Sequence, residues 1–160
     1  SERNNIGIYT VEYDNSNKKD EKWYVNTSQS YAFADNKVTG TYGTATAKPH
    51  ADTLFTAQDE TDGFGTEGDV KTEGLKTQLI RAVKVEAKAI LGETDWYVVR
   101  KADTDEAVPS SIATHRAAVR TKQASMETAI TNASDTPALE TLYTRNNSGV
   151  RPLGDLPRLI

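Results

Sequence analysis

The 160-residue chain contains no cysteine, and it has no long run of apolar residues. The absence of cysteine excludes disulfides, thiolate nucleophiles and cysteine-based zinc or iron–sulfur sites. A segment that crosses a bilayer needs roughly 20 apolar residues, and no run approaches that length. Residues 1–5 also lack the pattern of a signal peptide, so we expect no membrane partner and no secretion by the standard route.

Hydrophobic residues and basic clusters are scarce as well. The hydrophobic share of 36% and the mean hydropathy of −0.63 predict a modest core, in one domain or in a small domain with a helical appendage. Residues 1–73 carry 7 Lys and Arg against 13 Asp and Glu, whereas residues 74–160 carry 12 against 10. Neither part has the basic stripe of a nucleic-acid-binding protein, so we expect no nucleic-acid partner.

The N-terminal part is rich in β-branched and aromatic residues. Residues 6–13 alternate partly in the manner of a half-buried strand, and residues 23–25, 31–33 and 37–47 are further candidate strands. We therefore predict a small β-rich domain over residues 1–57.

Residues 58–74 are crowded with Asp, Glu, Gly and Thr, which predicts an acidic, glycine-rich linker. The stretch from Gly63 to Gly68 matches the dinucleotide pattern G-x-G-x-x-G, but no apolar strand precedes it and nearby carboxylates would repel a phosphate. A degenerate calcium loop is the alternative, although Gln58 stands where the first ligand should be Asp. We expect no cofactor and no metal.

The C-terminal part changes to helical periodicity. Residues 75–91 form an amphipathic pattern that Gly92 ends, and a second helix is predicted after Pro109. Its apolar stripe of Ile112, Val119 and Met126 is narrow, which favours a contact with a partner or an oligomeric seam over burial in a large core. A short third helix is predicted over residues 137–143, within a helical module at 75–144.

The last segment, residues 145–160, contains prolines and glycines that are incompatible with a regular helix. It nevertheless carries regularly spaced apolar residues, namely Val150, Leu153, Leu156, Leu159 and Ile160. This spacing favours an extended tail that lies in the groove of a neighbouring subunit. The alternatives are a tail that folds back over its own domain and one that stays disordered.

The turn between the two long helices contains a cluster of apolar residues. Asp95, Trp96 and Tyr97 follow the helix stop directly, and we interpret Trp96 as a packing anchor that fixes the crossing of the helices. Thr94 or Asp95 is a candidate cap for free backbone donors.

No catalytic constellation is recognisable in the sequence. The histidines are His50 and His115, and neither belongs to a zinc-binding motif or has a nucleophilic serine context. We predict that the chain is not an enzyme.

Two stretches carry a resemblance to a known group of proteins. They are Ala89-Ile90-Leu91-Gly92-Glu93-Thr94-Asp95-Trp96 and, after a connector ending in Val108-Pro109, Ala113-Thr114-His115-Arg116-Ala117-Ala118-Val119-Arg120. Together they resemble the C-terminal region of tailed-bacteriophage tail proteins, including tail assembly chaperones and tail-fibre or baseplate-associated proteins. In that group a helix ending in Leu-x-x-Thr/Ser-Asp-Trp precedes a helix with the pattern Tyr-Arg-x-x-Leu/Val-Arg.

This chain matches the group at Thr94-Asp95-Trp96 and at Arg116, Val119 and Arg120, and it has His115 where Tyr is usual. Its connector is similar to versions in marine and cyanobacterial phages. The resemblance covers roughly residues 75–143, less than half of the chain.

The resemblance implies a non-enzymatic structural component of a phage tail, such as a baseplate, tail or fibre-attachment protein. Its partners would be other phage tail or fibre proteins, in an oligomeric assembly located in the virion and formed in the host cytoplasm. The alternative is a tail-fibre assembly chaperone that the mature virion does not retain. The expected fold class is α+β, with the β-rich part first and the helical hairpin, the third helix and the tail after it.

Overall fold

The computed structural model describes residues 7–159 and divides the chain after Lys48 into two compact units. Strands dominate the N-terminal half and helices the C-terminal half, which confirms the predicted α+β class. The division differs from the predicted boundary at residue 57, because residues 49–52 accept hydrogen bonds from the start of the first long helix. The carbonyls of Pro49 and His50 accept from the backbone N–H groups of Leu75 and Lys76, and the Asp52 carboxylate accepts from the N–H of Gly74 at 2.7 Å.

Residues 7–48 of the N-terminal unit form five short strands. They are β1 (Val11–Asp14), β2 (Tyr24–Val25), β3 (Ser30–Ala34), β4 (Lys37–Thr41) and β5 (Thr46–Ala47). A three-stranded sheet has the order β1-β4-β3, with β1 parallel and β3 antiparallel to β4, while β2 and β5 form a separate antiparallel pair. The β3–β4 turn consists of Asp35 and Asn36, whose φ angles of 50° and 59° suit the two-residue turns that join twisted strands.

These strands agree with most of the predicted ones. The candidate at 37–47 is two strands, because its first part pairs with β3 and its last residues pair with β2. The candidate at 6–13 is a strand only from Val11 onward, and Ile6 lies outside the described residues.

The C-terminal unit begins with a small β-hairpin-like element. Strands β6 (Thr53–Leu54) and β7 (Val70–Thr72) pair in antiparallel fashion, and helix α1 (Ala57–Thr61) lies between them in the chain. Part of the predicted acidic, glycine-rich linker at 58–74 is therefore regular secondary structure. Thr56 and Asp59 form a reciprocal capping box, in which each side chain accepts from the other residue's backbone N–H, and this local pattern begins the helix.

Four helices follow: α2 (Leu75–Gly92), α3 (Asp95–Thr104), α4 (Ser110–Asn132) and α5 (Thr136–Tyr143). Helices α2 and α4 pack in antiparallel fashion, since Lys76 Nζ donates to the carbonyl of Thr131 at one end and Arg116 donates to that of Leu91 at the other. The predicted connector after Trp96 is largely helical. The core of the C-terminal unit contains buried apolar residues from α2, α4, α5 and the tail, among them Leu75, Leu79, Val83, Ala87, Ile90, Ile112, Val119, Met126, Ile130, Leu139, Leu153 and Leu156.

Candidate functional site at the helix turn

The turn from α2 into α3 is held by the side chain of Arg116, which reaches it from α4. The guanidinium donates to the carbonyl of Leu91 and to Oγ1 of Thr94, both at 2.7 Å, and to Oδ1 of Asp95 at 2.8 Å. Thr94 is 1% exposed, and its hydroxyl also donates to the Leu91 carbonyl at 3.0 Å. A buried guanidinium is stable only when such acceptors surround it, so these contacts form one network.

This network corrects the predicted role of two turn residues. Neither Thr94 nor Asp95 caps α3 with its side chain, because both side chains are engaged by Arg116. Asp95 nevertheless forms an ion pair with Arg116 at the turn, although its side chain is 60% exposed.

Trp96 is not a packing anchor. It is 52% exposed, and α3 contains no buried residue. The buried side chains at this turn are instead Thr94 and Arg116, which are 1% and 7% exposed and hydrogen-bonded to each other. The interpretation of Trp96 as the residue that fixes the helix crossing is therefore wrong.

The exposed indole is held in a defined position on α3. The Arg100 guanidinium, one helical turn further on, lies 4.7 Å from the Trp96 ring centroid and 5.4 Å from that of the half-buried Tyr97. The two aromatic rings are 4.0 Å apart. Val98 and Val99 add exposed apolar surface on the same short helix. Trp, Tyr and Arg are enriched among the residues that contribute most to binding energy in protein interfaces.

The predicted partner-binding stripe of α4 is part of the core instead. Ile112, Val119 and Met126 are 7%, 0% and 1% exposed, respectively. The stripe is narrow, but α2 presents a buried apolar face of its own and packs along α4 within the chain. These three residues are therefore not available to a partner.

The tail likewise folds back on its own unit, which was the alternative to a docking tail. Leu153 and Leu156, predicted to bind a partner, are 3% and 4% exposed. The N–H of Leu153 donates to the Leu142 carbonyl at 3.0 Å, and Lys122 Nζ donates to the Leu153 carbonyl at 2.8 Å. Of the other predicted contact residues, Val150 and Leu159 are exposed and Ile160 lies outside the described residues.

Salt bridges fasten the same tail. Arg145 donates to both carboxylate oxygens of Asp155, at 3.1 and 2.9 Å, and Arg151 pairs with Oδ1 at 2.8 Å. These bonds, chiefly those from Arg145, lower the pKa of the Asp155 carboxyl below its ordinary value. Arg158 reaches Glu86 of α2 at 3.1 Å.

The acidic segment around α1 is organised by its own contacts. Lys71 Nζ lies 2.6 Å from Oδ1 of Asp59, and this bond together with those from Thr56 lowers the Asp59 pKa to about 2. Among residues 7–159, no group of three or more His, Asp and Glu side chains is placed to hold a metal ion. The Gly63–Gly68 stretch lies between α1 and β7, so it does not open a helix as a dinucleotide site requires.

Two features escaped prediction from the sequence. The first is Arg116 as the organiser of the turn, for which an arginine within an apolar helix stripe was the available signal. The second is an exposed aromatic sheet face in the N-terminal unit, which the alternation Tyr9, Val11, Tyr13 indicates.

No protein-family model, curated protein or solved structure matches this chain. In the part of the chain that the structure describes, no helix is both long enough and apolar enough to cross a membrane.

Proposed function

We propose that this chain is a non-enzymatic structural component of a bacteriophage tail and that it acts through protein–protein contacts. It would belong to the baseplate, the tail or a fibre attachment, be assembled in the host cytoplasm and remain in the virion. Other tail or fibre proteins would be its partners.

The observation that carries the proposal is the contact between the two stretches on which the phage-tail resemblance rests. Thr94 and Asp95 belong to the first stretch and Arg116 to the second, and all three share one hydrogen-bonded network. The antiparallel packing of α2 and α4 places the two stretches side by side, and the hydrogen bonds join residues of both patterns in one network. This supports a single structural module.

The same module supplies a candidate contact surface. Once the Arg116 network holds the turn, Trp96 of the shared pattern projects from α3 with 52% of its surface exposed. Large aromatic side chains in this setting lose water on binding and contribute strongly to affinity. We therefore assign the partner contact to Trp96, Val99 and Arg100, in place of the α4 stripe.

Mass spectrometry of purified phage particles tests the role. A structural component is present in particles in stoichiometric amounts. If the chain is missing from particles and its deletion leaves fibres unfolded, the proposal fails and the assembly-chaperone alternative gains support.

A pair of variants tests the contact surface. Trp96→Ala should reduce incorporation into particles, whereas Val85→Ala should not, because Val85 is also an exposed apolar helix residue (63%) but lies outside this surface. Circular dichroism of both variants controls for folding. Normal incorporation of Trp96→Ala into particles would refute Trp96, Val99 and Arg100 as the contact surface. The structural role itself would still be tested by mass spectrometry of particles.

A further inference from the structure

The three-stranded sheet of the N-terminal unit has one apolar and one polar face. Strand register places Val11, Val38 and Phe33 in one row and Tyr13, Gly40 and Tyr31 in a second row on the same face. Tyr9 joins them, since its ring centroid lies 4.6 Å from that of Phe33. We call Tyr9, Val11, Tyr13, Tyr31 and Phe33 the aromatic face.

The aromatic face is continuous and yet exposed. Tyr13 and Tyr31 lie across Gly40 so closely that a Cβ there would stand 3.0 Å from both rings, which shows that the rings close over the glycine. A hydrogen bond between the two tyrosines is also the main cause that raises the Tyr31 pKa. Even so, Val11, Tyr13, Tyr31 and Phe33 are 45%, 52%, 56% and 58% exposed.

The N-terminal unit buries little apolar surface to offset this exposure. Trp23 and Tyr24 are the large apolar side chains that are buried among residues 7–48. Units of this size generally need a disulfide, a metal or association with another chain. Residues 1–48 contain neither cysteine nor histidine, so the sequence offers no disulfide and none of the usual soft metal ligands. Association with a second copy through the exposed face would bury this apolar surface.

The charge distribution is compatible with a second copy as the partner. Residues 1–48 contain 6 Lys and Arg and 6 Asp and Glu, giving a net charge of zero, and no charged side chain among residues 7–48 belongs to the aromatic face. The charged pair of Glu12 and Lys37, 2.8 Å apart, lies on the opposite face. A strongly charged partner would therefore find no complement on the aromatic face. A second copy of the same face would meet no repulsion.

The area is sufficient for such a contact. Half-exposed aromatic side chains leave on the order of 100 Å² each to be covered, so two facing copies would bury on the order of 1,000 Å² with their rims. This value lies at the lower limit of specific interfaces. We propose that the aromatic face of one chain packs against the aromatic face of a second copy, making the N-terminal unit a self-association module.

Sedimentation analysis of the full chain over a concentration series tests the proposal. We expect reversible self-association, which Phe33→Lys weakens at least about tenfold because it places a charge in the interface. Ala32→Lys is the matched control, since residue 32 is the neighbour of Phe33 in β3 but faces the other side. Equal weakening by both variants, or by neither, would overturn the assignment.

A second readout avoids substituting an aromatic residue. The chain is free of cysteine, so Val11→Cys and Glu12→Cys each provide a single thiol, one on the aromatic face and one opposite. The alkylation rate at position 11 should fall as concentration rises, while the rate at position 12 should stay constant. A chain that stays monomeric at every concentration refutes the proposal. If an added oligosaccharide then perturbs Tyr13 and Tyr31 of the monomer, the aromatic face binds a different ligand, and the proposal is refuted as well.

Discussion

Replacing Arg116 by methionine removes the guanidinium but keeps an unbranched apolar stem of similar length, and so isolates the polar network at the helix turn. Two of the lost hydrogen bonds end on Leu91 O and Thr94 Oγ1 inside the turn. A bond to a charged group contributes about 1.5–3 kcal/mol. The loss is partly offset because Leu91 O keeps its bonds from the N–H and hydroxyl of Thr94. We expect the free energy of unfolding to fall by about 3 kcal/mol.

The ion pair with Asp95 should matter much less. The Asp95 side chain is 60% exposed, and pairs of this kind contribute about 0–1 kcal/mol because water solvates the freed carboxylate. Asp95→Asn is therefore the matched control, with an expected cost below about 1 kcal/mol. Urea unfolding followed by helical circular dichroism measures both, since every helix among residues 7–159 lies in the C-terminal unit. Similar costs for the two variants, or a negligible cost for Arg116→Met, would refute the network as the organiser of the turn.

Three further predictions use the same unfolding measurement. Leu156→Ala should lower the free energy of unfolding by about 3 kcal/mol, because the Leu156 side chain is 4% exposed. Leu159 is 45% exposed, so Leu159→Ala should change this free energy by less than about 0.5 kcal/mol. Equal effects of the two variants would contradict a packed tail. Gly74→Ala should lower the free energy of unfolding by more than about 2 kcal/mol, since its Cβ would stand 2.3 Å from backbone atoms of residue 51. The control is Gly92→Ala, whose Cβ meets no atom within 4 Å and which should stabilise α2 by up to about 1 kcal/mol. A harmless Gly74→Ala would contradict the close approach of residues 51 and 74. The Asp155 pKa lies below 3.8 in the folded chain, so its contribution to stability is present above that value and is lost as pH falls through the folded pKa. Asp155→Asn should therefore lower stability at neutral pH and lose less than the parent chain on acidification, and identical acid sensitivity would count against the salt bridge.

Local patterns in the sequence were enough to locate the long helices. The period of apolar residues and the stop at Gly92 predict α2 almost to its observed ends, and Pro109 correctly precedes α4. The prediction failed at α1, where Thr56 and Asp59 carry a helix-starting pattern within a stretch that composition alone assigns to a linker. Composition averages over a segment, but a capping box depends on two residues at a fixed spacing.

Which surface covers each apolar residue was decided only by the tertiary structure. Periodicity shows that Ile112, Val119 and Met126 share one helix face. The same spacing is expected whether that face is covered by another chain or by α2. The same ambiguity applied to Leu153 and Leu156 in the tail.

At the helix turn, the sequence by itself determined the type of residue but not its role. Thr94, Trp96 and Arg116 are evident from the sequence, and a Trp beside a helix stop suggests burial. The fold buries the smaller Thr94 and leaves Trp96 half exposed on α3, a helix that contains no buried residue. Side-chain hydrophobicity is a property of one residue. Burial depends on the path of the chain around it, and that path is fixed by contacts between residues far apart in the sequence.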